Sequence, residues 1–193
     1  MKNNQYIIGI DEVGRGPLAG PVSIGVFVIP KKHIRKITLA NDSKKLTESK
    51  REELFKYFSE LRKEGICDFY VIHESAKQID KIGISACIKR AMKKGLAKTA
   101  LSPDICDVRL DGSLYAPAEY TKQKTIVKGD SKDKAIGAAS IVAKVTRDRK
   151  MVRLGKKYPH YGFEIHKGYG TKKHREDIVK FGASDVHRKS WIH

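Results

Sequence analysis

The stretch YIIGIDEVGRGPLAGPVSIGVFVIP, residues 6–30, contains two apolar runs on either side of a segment rich in glycine and proline. The first run, residues 6–12, is rich in β-branched side chains and ends in Asp11 and Glu12, and the second spans residues 22–30. Such runs are typical of buried strands, and the glycines and prolines between them favour a turn. The stretch therefore predicts a buried β-hairpin whose first strand ends in two adjacent carboxylates.

The rest of the chain alternates between strand and helix patterns. Ser49 and Glu52 match a capping box at the start of one helix, and Thr171 matches the cap of another. A third helix has a face of small residues that would lie close on a sheet: Ala135, Ala138, Ala139, Val142 and Ala143. The alternation predicts an α/β layer structure. The strand patterns are at residues 66–73, 107–112 and 124–130, and the helix patterns at residues 49–61, 79–101, 134–157 and 171–181.

The net charge of the chain is far above what solubility requires. It has 40 Lys and Arg against 22 Asp and Glu, a formal charge of +18 over 193 residues. Such an excess favours a polyanionic partner, and nucleic acid is the expected one. A membrane surface would need an amphipathic helix with large aromatic residues opposite its basic face, and the sequence has no such pattern. We expect a single cytoplasmic domain.

The three cysteines, Cys67, Cys87 and Cys106, are predicted to be buried thiols. They lie about twenty residues apart and form no CxxC pair. This spacing does not favour a zinc site, and an odd number does not favour a disulfide framework.

Four carboxylates stand at the ends of predicted strands, namely Asp11, Glu12, Asp111 and Asp130. Strand ends meet at one edge of an α/β sheet, so these side chains are expected to gather there. Two carboxylates about 4 Å apart repel by roughly 4 kcal/mol at an effective dielectric constant near 20. Mg²⁺ or Mn²⁺, which prefer oxygen ligands, would remove this repulsion. Two such ions in a basic protein suggest hydrolysis of a phosphodiester bond.

Each carboxylate also has a simpler interpretation. Asp111 precedes Gly112 and fits an ordinary turn, and Asp130 precedes Ser131 and fits a helix cap. Asp11 and Glu12 point to opposite faces of a regular strand, so both serve one site only if the strand bends or ends there. The glycines of residues 14–20 make such a bend plausible.

Several long motifs resemble the ribonuclease HII family, the type 2 ribonucleases H. They are GIDEVGRGPLAGPV, NDSKKLTESKREEL, RLDG, KGDSKDKAIGAASIVAKVTRDRKM, YGFEIHKGYGTKKH and HRKSW. The resemblance implies a ribonuclease H-like fold, with a mixed five-stranded sheet flanked by helices and extra C-terminal helices. It also implies one domain over residues 1–193, with residues 160–193 as a helical appendage packed on it.

The resemblance further implies an endoribonuclease that acts on RNA–DNA hybrids and on duplex DNA containing single ribonucleotides. Such an enzyme cuts on the 5′ side of the ribonucleotide and leaves 3′-hydroxyl and 5′-phosphate ends. Mg²⁺ or Mn²⁺ would serve as cofactor, with two ions bound when substrate is present. The family's catalytic, metal-binding acids fall on the four carboxylates already singled out: Asp11, Glu12, Asp111 and Asp130.

The substrate-binding residues of the family fall on five positions. Gly14, Arg15 and Gly16 match its glycine-arginine-glycine motif, Lys44 matches a lysine near the phosphates, and Tyr169 matches a tyrosine that senses the DNA–RNA junction. By spacing alone, Tyr169 cannot be told from the two other tyrosines of its loop. Lys44 also fits a solvated lysine. Lys144 lies in a matching stretch, and its role stays open.

Two alternatives remain at this point. The charge alone permits a nucleic-acid-binding protein without catalysis, and acidic clusters also occur in transposase-like and junction-resolving nucleases.

Ser113 stands where asparagine is expected in many bacterial relatives, and no sliding-clamp-binding peptide is recognisable after Trp191. Recruitment by a partner therefore stays open. Since nothing in the sequence requires a partner subunit, we expect a monomer without an obligate protein partner.

Overall fold

The predicted hairpin forms the centre of the fold. A computed structural model describes residues 5–37 and 46–192, and within them the hairpin strands pair antiparallel from Tyr6 opposite Pro30 to Val13 opposite Ser23. The sheet order is β3-β2-β1-β4-β5, with β1 and β4 parallel, so the sheet is mixed, as predicted. The strands are β1 (Tyr6–Val13), β2 (Val22–Pro30), β3 (Asp68–Glu74), β4 (Cys106–Asp111) and β5 (Gln123–Ile126).

Helices cover both faces of this sheet. The α-helices are α1 (Glu48–Lys63), α2 (Ala76–Ile82), α3 (Ile84–Lys98), α4 (Gly129–Lys132), α5 (Lys134–Lys157), α6 (Phe163–His166) and α7 (Lys172–Phe181). Short 3-10 helices occupy Lys31–Ile37, Pro103–Ile105, Pro159–Tyr161 and Lys189–Trp191. None of the helices within the described ranges is long and apolar enough to cross a membrane.

Helix α5 lies directly on the central hairpin. A Cβ atom at Gly9 would come within 2.0 Å of the Ala135 carbonyl oxygen, and one at Gly25 within 2.4 Å of the Ala139 carbonyl oxygen. The two glycines and the small face of the helix therefore fit backbone against backbone. This contact confirms the predicted role of the small-residue face and fixes α5 over β1 and β2.

Three apolar clusters hold the layers together. On the α5 side, Ile7 and Phe27 pack with α1 and α5. On the other side, Ile8 and Ile10 pack with α3. A third cluster joins Leu18 and its neighbours to α5 and to the C-terminal segment through Met151, Phe163 and Ile178. Odd-numbered residues of β1 thus face α5 and even-numbered ones face α3.

Three details of the sequence prediction are wrong. Helix α1 is capped by Thr47, whose hydroxyl accepts a hydrogen bond from the Lys50 amide, and not by Ser49. The helix predicted over residues 79–101 is two helices, because Gly83 adopts φ +79° between α2 and α3. Strand β5 ends at Ile126, and Asp130 lies in the short helix α4 beyond it.

The cysteines are where burial preferences place them. Cys67, Cys87 and Cys106 are all described, all buried and all free. Burial raises the pKa of Cys67 to about 12 and that of Cys106 to about 11, so these thiols stay protonated at neutral pH. They are structural residues of the core.

Gly9→Ala tests the contact between sheet and helix. The added methyl group would overlap the Ala135 carbonyl group, so α5 must move or distort. We expect the free energy of unfolding in urea to fall by about 1–3 kcal/mol. Gly16→Ala is the control for stability, since its Cβ would meet nothing within 4 Å. An unchanged unfolding midpoint for Gly9→Ala would contradict the close approach of α5.

Candidate active site

Asp11 and Asp111 lie side by side on one face of the sheet. Strands β1 and β4 run parallel with Ile10 opposite Leu110, so the next residue in each strand is an aspartate. The odd-numbered face of β1 points toward α5, where Ser140 hydrogen-bonds the Asp11 carboxylate. The register of two neighbouring strands therefore brings together a pair that the sequence separates by one hundred positions.

Asp11 sits in a place that disfavours its negative charge. Only 4% of its surface is exposed, and burial raises its pKa to about 7, with Asp111 and Glu12 adding to the rise. The Ser140 hydroxyl and the Glu12 amide, which donates to Asp11 Oδ1 at 2.7 Å, act in the opposite direction. The two hydrogen bonds to Asp11 therefore do not offset the cost of placing its negative charge in this site.

Glu12 belongs to the opposite face of β1. The strand continues to Val13, so it does not end between Asp11 and Glu12. Glu12 Oε1 accepts a hydrogen bond from Arg15 Nη1 at 3.2 Å, while Oε2 is buried and has no hydrogen-bond partner among the described residues. Burial raises the pKa of Glu12, Arg15 lowers it, and Asp111 raises it. The carboxylate therefore still senses Asp111 from its side of the strand.

Asp130 lies in a helix that starts beside Asp111, and not at a strand end. The Gly129 amide donates to Asp111 Oδ1 at 2.6 Å, which ties the start of α4 to β4. A Cβ at Gly129 would lie 3.3 Å from that oxygen and 2.6 Å from Ile136 Cδ1, so glycine permits the approach. Asp130, the next residue, is 3% exposed.

The candidate carboxylates are not already arranged as a metal-binding site. Within residues 5–37 and 46–192, no three histidine, cysteine, aspartate or glutamate side chains have the arrangement of a metal site. Their roles as metal ligands and catalytic groups stay a prediction from the sequence.

The segment after β1 turns sharply and exposes Arg15 and Gly16. Gly14 has φ +83°, and a Cβ there would come within 2.1 Å of Arg147 Nε. Gly16 has open space around it, and about half of the Arg15 side chain is exposed. Gly14 is thus required by the fold beneath it, whereas Arg15 and Gly16 face outward beside Glu12.

Two buried arginines support this turn from below. Arg188 donates from Nη2 to the Gly14 carbonyl at 2.5 Å, from Nη1 to the Arg15 carbonyl at 2.8 Å and from Nε to the Gly20 carbonyl at 3.2 Å. Arg147 donates from Nε to the Pro21 carbonyl at 2.9 Å and from Nη1 to the Lys167 carbonyl at 3.1 Å. Both residues are fully buried.

Tyr169 lies next to the segment that follows the turn, and 44% of its surface is exposed. The carbonyl of Gly168, the preceding residue, accepts the Leu18 amide at 2.9 Å and the Ala19 amide at 3.2 Å. Burial lowers the pKa of both Arg147 and Arg188, and Tyr169 partly offsets this effect. The phenol therefore lies near both guanidinium groups.

Comparison with known proteins identifies the family. The family model described as Ribonuclease HII matches residues 8–193. Ribonuclease HII of Clostridioides difficile (strain 630) is 47% identical over 191 residues, 99% of this chain and 71% of that protein. The chain belongs to the ribonuclease HII family. It is therefore a ribonuclease H, a hydrolase that cleaves RNA in RNA–DNA hybrids, and the two alternatives that the sequence left open are excluded.

Solved structures of similar fold agree with this assignment. The crystal structure of ribonuclease H2 from Pyrococcus horikoshii OT3 has a TM-score of 0.73 and 30% identity, covering 96% of this chain and 93% of that one. A PCNA:RNase HII complex from Archaeoglobus fulgidus has a TM-score of 0.73 and 28% identity, covering 96% and 95%. The ribonuclease H-like fold expected from the resemblance is confirmed.

Two lysines singled out in the sequence remain, Lys44 and Lys144. Lys44 lies outside the described residues. Lys144 lies on α5, one turn after Ser140, and its Nζ is 2.9 Å from Asp148 Oδ2. An ion pair within the helix therefore accounts for Lys144 without a ligand.

Sequence reasoning missed Arg147 and Arg188, which hold the turn after β1 in place. In a chain of charge +18, the sequence alone assigns these arginines to a basic surface. A signal for Arg147 does exist in the sequence, since it continues the small-residue face of α5 at intervals of four: residues 135, 139, 143, 147 and 151. Arg188 lies in no regular element and gives no such signal.

Arg188→Lys tests the support of the turn. Lysine keeps the charge but has one nitrogen in place of the three that bind carbonyl groups. We expect the free energy of unfolding to fall by about 1–3 kcal/mol, because carbonyl groups in the interior lose their partners. Cleavage of an RNA–DNA hybrid should fall as well, since the turn is no longer fixed. Arg153→Lys, at an exposed position of α5, is the matched control; equal behaviour of the two variants would argue against the support.

Asp11→Asn tests how far the buried charge of Asp11 destabilises the metal-free protein. The ordinary pKa of the carboxyl is 3.8 and the folded value is about 7. Between these values the folded protein keeps a proton that the unfolded chain has lost, so its stability falls as the pH rises through this window.

The side-chain amide introduced by Asp11→Asn does not ionise, so the variant does not lose stability as the pH rises through this window. Asp11→Asn should therefore unfold at the same denaturant concentration as the parent below pH 3.8, and be more stable above pH 7 by up to about 4 kcal/mol. Asp185→Asn, at an exposed aspartate, serves as control. A stability difference that does not change between pH 4 and pH 8 would rule out the strained carboxylate.

Proposed function

We propose that this protein is a divalent-metal-dependent endoribonuclease that cuts on the 5′ side of a ribonucleotide. Its substrates would be RNA–DNA hybrids and duplex DNA that contains single ribonucleotides. The products would carry a 3′-hydroxyl on the upstream strand and a 5′-phosphate on the ribonucleotide. Such cleavage would serve ribonucleotide removal and primer processing.

One observation carries the proposal. Asp11 and Asp111 stand next to each other at the edge of the sheet, with Glu12 and Arg15 beside them and an exposed glycine turn directly after the strand. The same edge therefore offers acidic groups for a metal-assisted reaction and an open backbone for a sugar. The acidic groups do not serve the stability of the fold, since burial raises the pKa of both Asp11 and Glu12.

The donor set fits a hard divalent cation. All four candidate ligands, Asp11, Glu12, Asp111 and Asp130, are carboxylates, which suits Mg²⁺ or Mn²⁺ better than softer metals. Glu12 Oε2 is buried without a hydrogen-bond partner among the described residues, as expected of an oxygen kept for another ligand. When bound, a pair of such ions would activate the attacking water and stabilise the leaving oxygen.

The turn would read the sugar. Glycine allows the main chain to approach a nucleic acid closely, and a 2′-hydroxyl that both donates and accepts is what separates RNA from DNA. Gly14 and Gly16 supply that backbone, and Arg15 can reach a phosphate through its guanidinium fork. Arg147 and Arg188 would keep the turn in position by holding its carbonyl groups inward.

Tyr169 would recognise the junction by stacking on the sugar that follows the ribonucleotide. Its exposed ring and its short link through Gly168 to residues 18–19 support this role. Lys44, outside the described residues, is proposed to contact the phosphate backbone, as the resemblance implies.

The basic surface would supply the rest of the affinity. A charge of +18 attracts any nucleic acid, so it contributes binding without selecting ribonucleotides. Selection must then come from the turn and the tyrosine. We propose a cytoplasmic protein of one domain that acts as a monomer.

Cleavage mapping tests the proposal. The substrates are a DNA duplex with one ribonucleotide, an RNA–DNA hybrid and an all-DNA duplex, each tried with Mg²⁺, Mn²⁺ or EDTA. We expect cuts 5′ to the ribonucleotide with either metal, none in EDTA and none in all-DNA. Asp11→Asn and Asp130→Asn should each lower the rate by more than about tenfold while the protein stays folded.

The control for these variants is Asp185→Asn, which removes a carboxylate from the surface and should keep the parent rate. Cleavage that persists in EDTA would reject the metal, and equal cutting of all-DNA duplex would reject ribose recognition. Activity of Asp11→Asn within tenfold of the parent would remove that residue from the mechanism.

A further inference from the structure

Three histidines lie beneath the segment that carries Tyr169. His174 and His187 are buried, and the rings of His166 and His174 stack with their centroids 4.3 Å apart. The Nε2 atoms of His174 and His187 are 3.1 Å apart, and His174 Nδ1 lies 2.8 Å from the Tyr169 carbonyl oxygen. A continuous chain of hydrogen bonds therefore runs from His187 to the backbone of Tyr169.

The direction of this chain follows from its two ends. The Ser184 amide can only donate, and its acceptor is His187 Nδ1 at 3.0 Å. A neutral His187 must then carry its proton on Nε2 and donate it to His174 Nε2. His174 in turn carries its proton on Nδ1, which suits the Tyr169 carbonyl, a group that can only accept. Both ends require the same arrangement independently.

His166 holds the neighbouring residue in a similar way. Its Nδ1 accepts the Gly168 amide at 3.2 Å, so its proton is on Nε2 and is donated to the Tyr161 carbonyl at 2.6 Å. His166 and His187 are thus the Nε2–H tautomer and His174 is the Nδ1–H tautomer. A second proton on His174 or His187 would set two N–H groups against each other.

The surroundings favour the neutral forms. Burial lowers the pKa of His187 to about 4, and His174 adds to the effect. Burial also lowers the pKa of His174. At neutral pH both rings are therefore uncharged, as the hydrogen-bond directions require.

The chain fixes the backbone of Tyr169 and leaves its ring outside. The Tyr169 amide donates to the His166 carbonyl at 3.0 Å, and its carbonyl accepts both His174 Nδ1 and the Thr171 amide, the latter at 2.9 Å. The ring itself stays 44% exposed. A side chain that starts from a fixed backbone loses less freedom when it stacks on a ligand than one on a mobile backbone.

We propose that His174 and His187 are positioning residues, which orient Tyr169 toward the substrate through this chain of two neutral rings. The inference rests on the proposed role of Tyr169 at the DNA–RNA junction. The ring centroid of Phe163 lies 5.5 Å from those of both histidines, and packing against a phenyl ring does not by itself require an imidazole. Directed hydrogen bonds to one carbonyl group are what histidine adds.

Nuclear magnetic resonance tests the chain without any activity measurement. Long-range ¹H–¹⁵N spectra of the labelled protein at pH 7 distinguish the two neutral tautomers and the charged ring. We expect Nδ1–H for His174 and Nε2–H for His187 and His166. An Nε2–H tautomer or a charged ring at His174 would overturn the proposal.

Two variants of His174 then test its effect on the tyrosine. The side-chain amide of His174→Asn can take the place of Nδ1–H, whereas His174→Leu has no donor. The readout is the ratio of cleavage rates on a single-ribonucleotide duplex and on an RNA–DNA hybrid. His174→Leu should lower this ratio by about tenfold, the range for one lost hydrogen bond, and His174→Asn should keep it near the parent value. His160→Leu, at an exposed histidine, should leave it unchanged.

Tyr169→Ala separates failure of this inference from failure of the proposed function. If Tyr169→Ala lowers the ratio, His174→Leu should lower it no further in that background. If His174→Leu instead reduces both substrates equally, the histidines are structural only and the inference is overturned. If Tyr169→Ala leaves the ratio unchanged, junction sensing by the tyrosine is wrong, and its positioning has no function to serve.

Discussion

Two buried guanidinium groups hold the backbone on which the site is built. Arg147 and Arg188 direct their N–H groups at carbonyl oxygens of residues 14, 15, 20 and 21. A buried cation without partners costs several kcal/mol, so these carbonyl groups must stay turned inward for the fold to persist. The turn after β1 therefore has a fixed inner side and an exposed outer side, and a ligand meets only the outer side.

The acidic groups of the site, unlike the buried arginines, are held where their charges are unfavourable. The parallel register of β1 and β4 sets Asp11 beside Asp111, and the hydrogen bond from Gly129 keeps Asp111 from moving away. Since the backbone prevents these side chains from separating, their repulsion and desolvation persist as a raised pKa at Asp11. The buried acidic groups thus lower the stability of the fold, whereas the close packing of α5 on Gly9 and Gly25 contributes to it.

Local patterns in the sequence predict most of the fold and part of the site. Strand β2 and helix α5 were predicted with their observed bounds, because a continuous apolar run and a long small-residue face leave little choice. The break at Gly83 was missed because a helix can contain an internal glycine, although the periodic apolar positions begin only after it, at Ile84. Asp130 was placed on a strand because a chain turning from β5 into α4 has no signature apart from Gly129. The arginine support depends on contacts between distant segments, which no local pattern contains.

Those distant contacts bear on how the protein is made. Arg188 lies 174 positions after Gly14, whose carbonyl group it binds. On the ribosome the sheet edge with Asp11 and Asp111 can assemble well before this arginine has left the exit tunnel. A nascent chain therefore carries its acidic groups without the fixed turn beside them. The turn beside the acidic groups can therefore be fixed only after residue 188 has been translated.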